Sequence, residues 1–216
     1  MPIDLYHYPG SAPCHAVRLV AAAVGVELNL KLLNPTAGEH LTPEFLKINP
    51  QHTIPTIDDN GFYLWESRAI CTYLIEKYGK NDSLYPKDSK QRAIVNQRLY
   101  FDAGTFYQSF AQYLYPQVLG GEAENPAKLE KCKEAMDYLD KFLEGQNYVA
   151  GDHLTVADLS IVVNALCYTI IDIDMNKYKN IQRWMERIAA EAPKYHDIVD
   201  EGFKAYKTWI QTALKK

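Results

Sequence analysis

Tyr8-Pro9-Gly10-Ser11-Ala12-Pro13-Cys14-His15-Ala16-Val17-Arg18 is the stretch on which the fold turns. Ahead of it Ile3 to Tyr8 alternates apolar and polar residues, the period of a strand. Behind it an Ala/Val-rich helix is expected from about Pro13 to Val24, with Pro in its first turn and Gly25 just past its end. Leu28–Leu33 reads as a second strand. Strand, helix, strand implies a parallel pair joined by a right-handed crossover. Thr56–Ile57 and Phe62–Leu64 then flank Asp58-Asp59-Asn60-Gly61, where Asn-Gly supplies the positive φ of a tight antiparallel hairpin. From Ser67 to Tyr78 the residues Ala69, Ile70, Tyr73, Leu74 and Lys77 keep helical spacing, with Gly79 as the expected terminator.

Past this point the strand signals stop. The polar segment 81–88 reads as a linker between a domain at 1–80 and an all-helical domain at 89–216. Ser89 to about Leu119 is expected as one long helix, with Phe106, Tyr107, Phe110, Tyr113 and Leu114 on one face. Tyr115 falls on the other face of an ideal helix, and Pro116 should kink or end the ladder there. Further helices are expected at Leu129–Leu143, from Val156, at Ile181–Ala190 and at Tyr195–Leu214. Thr155-Val156-Ala157-Asp158 carries a reciprocal N-terminal cap, with Leu154 and Leu159 placed for a hydrophobic staple outside it.

The 216 residues are enough to bury a substantial core, and 47% apolar with 23% charged residues is ordinary for a globular protein. A net charge of -4 with scattered Lys and Arg leaves no basic stripe for nucleic acid. Val156 to Ile171, broken by Asp158 and Asn164, is too short and too polar to span a bilayer. Met1-Pro2-Ile3-Asp4 has the character of no secretory leader. Four unpaired-looking cysteines, Cys14, Cys71, Cys132 and Cys167, suit free thiols in a reducing, cytoplasmic setting, and neither they nor the six histidines have metal-ligand spacing.

Three motifs could carry chemistry. Ser11 sits at a helix N-terminus, where free amides and the helix dipole favour negative charge. Two readings stand: a helix cap, or a hydroxyl that hydrogen-bonds another molecule's thiolate. Asn49-Pro50-Gln51-His52-Thr53-Ile54-Pro55-Thr56 contains a candidate cis bond at Ile54-Pro55, which would turn the Ile54 backbone toward an extended peptide; a trans turn is the alternative. In Trp65-Glu66-Ser67-Arg68-Ala69-Ile70, Ser67 and the neighbouring amides suit a carboxylate while Glu66 suits an ammonium, or the group simply opens a helix. Taken together, an amino-acid head-group site, a backbone-pairing segment and a thiol-facing hydroxyl describe a pocket for glutathione.

These motifs, with Val95-Asn96-Gln97-Arg98-Leu99-Tyr100-Phe101-Asp102 and the Thr155–Asp158 cap, resemble the cytosolic glutathione S-transferases, and within them the insect delta class. The resemblance runs from Ile3 to about Pro193 and is weakest over the tail from Tyr195. It implies a thioredoxin-like α/β N-terminal domain with a mixed four-stranded sheet, an all-α C-terminal domain, and a cytoplasmic homodimer. It implies conjugation of reduced glutathione, a co-substrate rather than a resident cofactor, to small hydrophobic electrophiles. Pro55 is implied to be cis and Ser11 to stabilise the thiolate. His52, Thr53, Ile54 and Pro55 would hold the cysteinyl and glycyl parts, His40 the glycine carboxylate, and Glu66, Ser67 and Arg68 the γ-glutamyl end. Asp102 is implied to approach the neighbouring subunit's site, and Tyr100 to be an interface aromatic. Candidates for the electrophile site are Pro13, Leu33, Tyr107, Phe110, Tyr113, Tyr115, Phe203 and Tyr206. The competing readings are a thiol–disulfide or peroxidase enzyme using Cys14, and a non-catalytic carrier of apolar ligands.

Overall fold

The computed structural model describes residues 2–214; Met1 and Lys215–Lys216, the outer ends of the two expected domains, lie outside the described residues. Four strands, β1 (Ile3–His7), β2 (Leu28–Leu32), β3 (Thr56–Asp59) and β4 (Phe62–Trp65), form one sheet in the order β2-β1-β3-β4. β1 and β2 are parallel, and β3 runs antiparallel to both β1 and β4. The expected crossover and hairpin are both present. Asn60 and Gly61 take φ of 55° and 90° at the turn, the positive values that let the strands keep their twist.

The crossover helix α1 (Ala12–Val24) buries Cys14, Ala16, Val17, Leu19, Val20 and Ala21, and ends where Gly25 turns left-handed at φ 74°. A short helix α2 (Pro43–Ile48), which the sequence reading did not include, is capped by Thr42. Helix α3 (Ser67–Tyr78) has the expected limits, yet Gly79 ends it for a different reason. Its φ is -63°, so no left-handed cap forms; instead a Cβ there would lie 2.5 Å from the Ile75 carbonyl oxygen. Space, not backbone handedness, requires the glycine. The C-terminal part of α3 is tied to the hairpin by Asp59, which accepts from Tyr73 and Tyr78 hydroxyls at 2.6 Å and Lys77 Nζ at 2.7 Å. Burial opposes ionisation of this carboxylate, but those donors and Asn60 outweigh it and hold its pKa well below the ordinary range.

Segment 81–88 is tightly held. Arg92 stacks over the Tyr85 ring and donates to the Pro86 carbonyl, while the Leu84 carbonyl accepts the first amide of the central helix, from Val156, at 2.8 Å. The expected single long helix is instead α4 (Ser89–Phe101) and α5 (Tyr107–Gly120), joined by a π-helical turn at Asp102–Phe106. Pro116 lies inside α5 and does not end it. Then follow α6 (Pro126–Phe142), α7 (Val156–Tyr168), α8 (Lys179–Glu191), a second π turn at His196–Asp200 and α9 (Glu201–Ala213).

Every residue of α7 except Leu166 is buried, and its polar members Asp158, Ser160 and Asn164 are hydrogen-bonded within the protein. Its start is fixed by Asp158, whose Oδ2 accepts the Thr155 amide at 2.9 Å and whose Oδ1 accepts Val149 N–H and Trp184 Nε1 at 2.8 Å. Burial raises the pKa of Asp158 against the pull of these donors. Helix α1 packs on α3 within the sheet domain and on α7 across the domain junction, so the helical part supports the back of the Ser11 turn. Among the described residues, no helix is long and apolar enough to cross a membrane.

Candidate active site

Strand β1 delivers the chain into a tight turn closed by Ser11 N–H on the Tyr8 carbonyl at 3.0 Å. Ser11 is the N-cap residue of α1, with φ -91° and ψ 110°, and its carbonyl takes the amides of Cys14 and His15. Its hydroxyl makes no cap bond to the helix. Of the two readings open for Ser11, capping by the side chain is therefore the one the geometry removes. The hydroxyl instead acts on the thiol of Cys14, but burial dominates there: Cys14 is fully buried and its thiol is pushed up to about 11. Cys14 thus lacks both the exposure and the thiolate character of a redox nucleophile. Behind the turn, His15 is also buried, with Nε2 lying 2.5 Å from the Pro9 carbonyl.

The Ile54-Pro55 bond is cis. Asn49 organises the loop that carries it, a role that the spacing of the motif does not announce. This fully buried asparagine places Nδ2 3.1 Å from both the carbonyl and the hydroxyl of Thr53 and 3.0 Å from the Thr56 hydroxyl, while its Oδ1 accepts Gln51 N–H. Gln51 in turn accepts from Trp65 Nε1, tying the loop to β4. His52 stands in the left-handed region at φ 46°, and its exposed ring lies 5.7 Å from that of His40. Pro55 is buried under the loop; Thr53 is exposed and Ile54 half-buried.

Glu66 is exposed and held at φ 70°, a conformation that a non-glycine residue adopts at a cost of about 1–3 kcal/mol and that is concentrated at functional sites. It begins α3, followed by buried Ser67, whose hydroxyl accepts from Arg68 Nη1 at 3.1 Å. Arg68 crosses the domain junction: Nε donates to Asp102 Oδ2 at 2.9 Å and Nη2 lies 2.8 Å from the same oxygen. Asp102 also accepts from Ser160 Oγ at 2.6 Å and Asn164 Nδ2 at 2.8 Å, both on α7. Asp102 is thus fully buried, with its described partners all on its own chain. Its contact with the site runs through Arg68.

The electrophile candidates divide. The hydroxyls of Tyr206 and Tyr115 are 3.4 Å apart, Tyr107 is an electrostatic neighbour of Tyr115, and Arg68 lies over the Tyr107 ring at 5.6 Å. Burial raises the pKa of all three tyrosines, so each keeps its proton at neutral pH. Phe110 is buried beneath them, edge-on to Tyr115 and against Tyr168. Tyr113 does not join the group. It is buried, with Glu124 in the loop before α6, Gln117 on α5 itself and Cys132 on α6 as its electrostatic neighbours. On a helix Tyr107 and Tyr115 are about 80° apart, a gap that two long phenol side chains can bridge. Pro13 borders Ser11, Leu33 is buried beside the end of β1 with its amide on the His7 carbonyl, and Phe203 packs partly on the core from α9. Tyr206 rests on the turn itself, its Cα and Cβ 3.6 Å from where a Cβ on Gly10 would be.

Comparisons with family models and with solved structures bear on this geometry. Residues 1–76 match the family described as Glutathione S-transferase, N-terminal domain, and residues 104–192 match Glutathione S-transferase, C-terminal domain. A delta-class glutathione transferase from Nilaparvata lugens is 53% identical, with TM-score 0.95 over 98% of this chain and 100% of that one. A glutathione transferase from Bombyx mori is 47% identical, with TM-score 0.92 over 97% of this chain and 98% of that one. An epsilon-class glutathione S-transferase from the housefly, Musca domestica, has TM-score 0.92 over 98% of both chains at 36% identity. The higher identity to the delta-class protein agrees with the motif resemblance. This chain belongs to the glutathione S-transferase family.

Proposed function

We infer that the protein is a glutathione S-transferase that conjugates the thiolate of reduced glutathione to hydrophobic electrophiles. The observation that carries the reading is Ser11: a hydroxyl at the N-terminus of α1 that makes no cap bond, in a chain of this family. A thiol with pKa near ~8.5 is only a few per cent ionised at neutral pH. Lowering it by about two units takes ~2.7 kcal/mol, within reach of one charge-assisted hydrogen bond and a helix terminus. The thiolate sulfur then forms a bond to the electrophilic carbon as the leaving group departs with its electron pair, and the thiol proton has already passed to solvent.

In this reading His52, Thr53, Ile54 and Pro55 hold the middle of the tripeptide, with His40 beside its glycine end. Glu66 and Ser67 take the γ-glutamyl end, with Arg68 held there by Asp102. Tyr107, Tyr115, Phe203 and Tyr206, with Pro13 and Leu33, border the electrophile. The domains divide at the 81–88 segment. The protein works as a homodimer in the cytoplasm, a reading supported by the outward-facing aromatics Phe62, Tyr63, Tyr100 and Tyr138 and by four buried free cysteines. A panel of aryl halides, epoxides and unsaturated aldehydes assayed with glutathione tests the activity. Conjugation of at least one of them is expected; glutathione binding with none conjugated would favour a carrier.

A further inference from the structure

Gly202, in the first turn of α9, has no room for a side chain. A Cβ there would lie 2.3 Å from His15 Nε2, 2.3 Å from the Pro9 carbonyl oxygen and 2.7 Å from His15 Cε1. These are the two partners of the bond that braces the Ser11 turn from behind, Nε2 of His15 to the Pro9 carbonyl at 2.5 Å. One turn further along α9, Tyr206 meets Gly10 at van der Waals distance and reaches Tyr115. The helix that carries Phe203 and Tyr206 is therefore seated directly on the turn that carries Ser11, with a backbone carbonyl as one side of the seat.

Taking the conjugation reading as given, we propose that Gly202 is a positioning residue that sets the distance between the thiolate site and the electrophile site, with His15 as the seat it rests on. The two sides of this contact differ in how firmly they are held. The turn is fixed by Ser11 N–H on Tyr8, by two amides on the Ser11 carbonyl and by the anchored start of α1. Helix α9 is held by the burial of Tyr206 and Ile210 and by the π turn before it. A methyl group added at Gly202 meets a backbone oxygen that cannot swing aside, so α9 is the part that moves. Displacement of about 1 Å at a reacting pair costs up to about a hundredfold in rate.

The test is the steady-state kinetics of Gly202→Ala with glutathione and chlorodinitrobenzene, with the titration of bound glutathione in parallel. Expected is a roughly tenfold fall in kcat/KM for the electrophile, with KM for glutathione and the pKa of its bound thiol unchanged. Wild-type electrophile kinetics in a folded Gly202→Ala protein would overturn the proposal. So would a matched loss at the glutathione side, since the turn and not the helix would then have moved. His15→Leu and His15→Gln carry the same test should Gly202→Ala not fold. Loss of the seat in His15→Leu should speed amide exchange across 203–213 and lower electrophile kcat/KM, and His15→Gln, which keeps a donor near Nε2, should restore both. Equal behaviour of the two variants would also overturn it. A wild-type protein that conjugates nothing would refute the functional reading instead, a result separate from any of these.

Discussion

Arg68 and Asp102 form a buried ion pair between the two structural halves, with Nε and Nη2 of the guanidinium 2.9 and 2.8 Å from one carboxylate oxygen. The remaining capacity of Asp102 is taken by Ser160 and Asn164, so helix α3 and helix α7 share a single acceptor. Removing that acceptor leaves a buried cation and two donors unpaired. Asp102→Ala should lower unfolding free energy by about 3–5 kcal/mol in urea titration. Asp102→Asn retains the shape and one acceptor and should lose less. Both should raise KM for glutathione, because Arg68 is released from its position beside Ser67.

Ser11→Ala removes the hydroxyl and leaves the turn intact, since that turn is built from backbone bonds. The pKa of bound glutathione should return toward ~8.5, visible as a shift in the thiolate absorbance titration. Its affinity should change little, because the tripeptide's other contacts are elsewhere. An unshifted titration would remove Ser11 from its assigned role.

His15 makes stability depend on pH. Burial lowers its pKa from 6.5 to about 4, against the opposing bond to Pro9. The folded-state value lies below the unfolded one, so this imidazole binds its proton more weakly when folded. Its contribution is complete above pH 6.5 and is lost as pH falls toward about 4. The loss amounts to roughly 3 kcal/mol. Burial also lowers the pKa of His7, with Arg18 acting in the same sense, and adds to this trend. Urea titrations of wild type and His15→Gln across that window should show a shallower acid decline in the variant.

Local signals carried the sheet half of the molecule. Alternation in Ile3 to Tyr8, the Pro and Gly25 that bracket α1, and Asn60-Gly61 each specify backbone geometry through nearest neighbours, and each element formed within a residue or two of its expected limits. The Thr155–Asp158 cap was legible for the same reason. What could not be read depends on distant parts of the chain. The π turn at Asp102–Phe106 has no compositional signature, yet it leaves Asp102 facing α7 instead of solvent. Tyr115 meets Tyr206, ninety-one positions away, a contact that helical periodicity does not show. Gly79 and Gly202 are required by contacts with Ile75 and with Pro9 and His15, which nothing in their own neighbourhoods announces.

Asn49 gives the sharpest test of how the cis-Pro55 loop is held. It is the only described side chain that touches Thr53, Thr56 and the Gln51 amide together, and it does so without exposure to solvent. Its partners lie on both sides of His52 and Ile54, so the backbone they present should depend on it. Asn49→Ala strands the Gln51 amide, which with the lost bonds should cost about 1–3 kcal/mol in stability. The same loss should raise KM for glutathione while kcat at saturating glutathione holds, since Ser11 stands on a different turn. Asn49→Asp keeps the acceptor for Gln51 but removes both donors and buries a charge, so it should be the more damaging of the two. If Asn49→Ala is destabilised yet binds glutathione normally, the asparagine braces the loop without setting the face that meets the tripeptide.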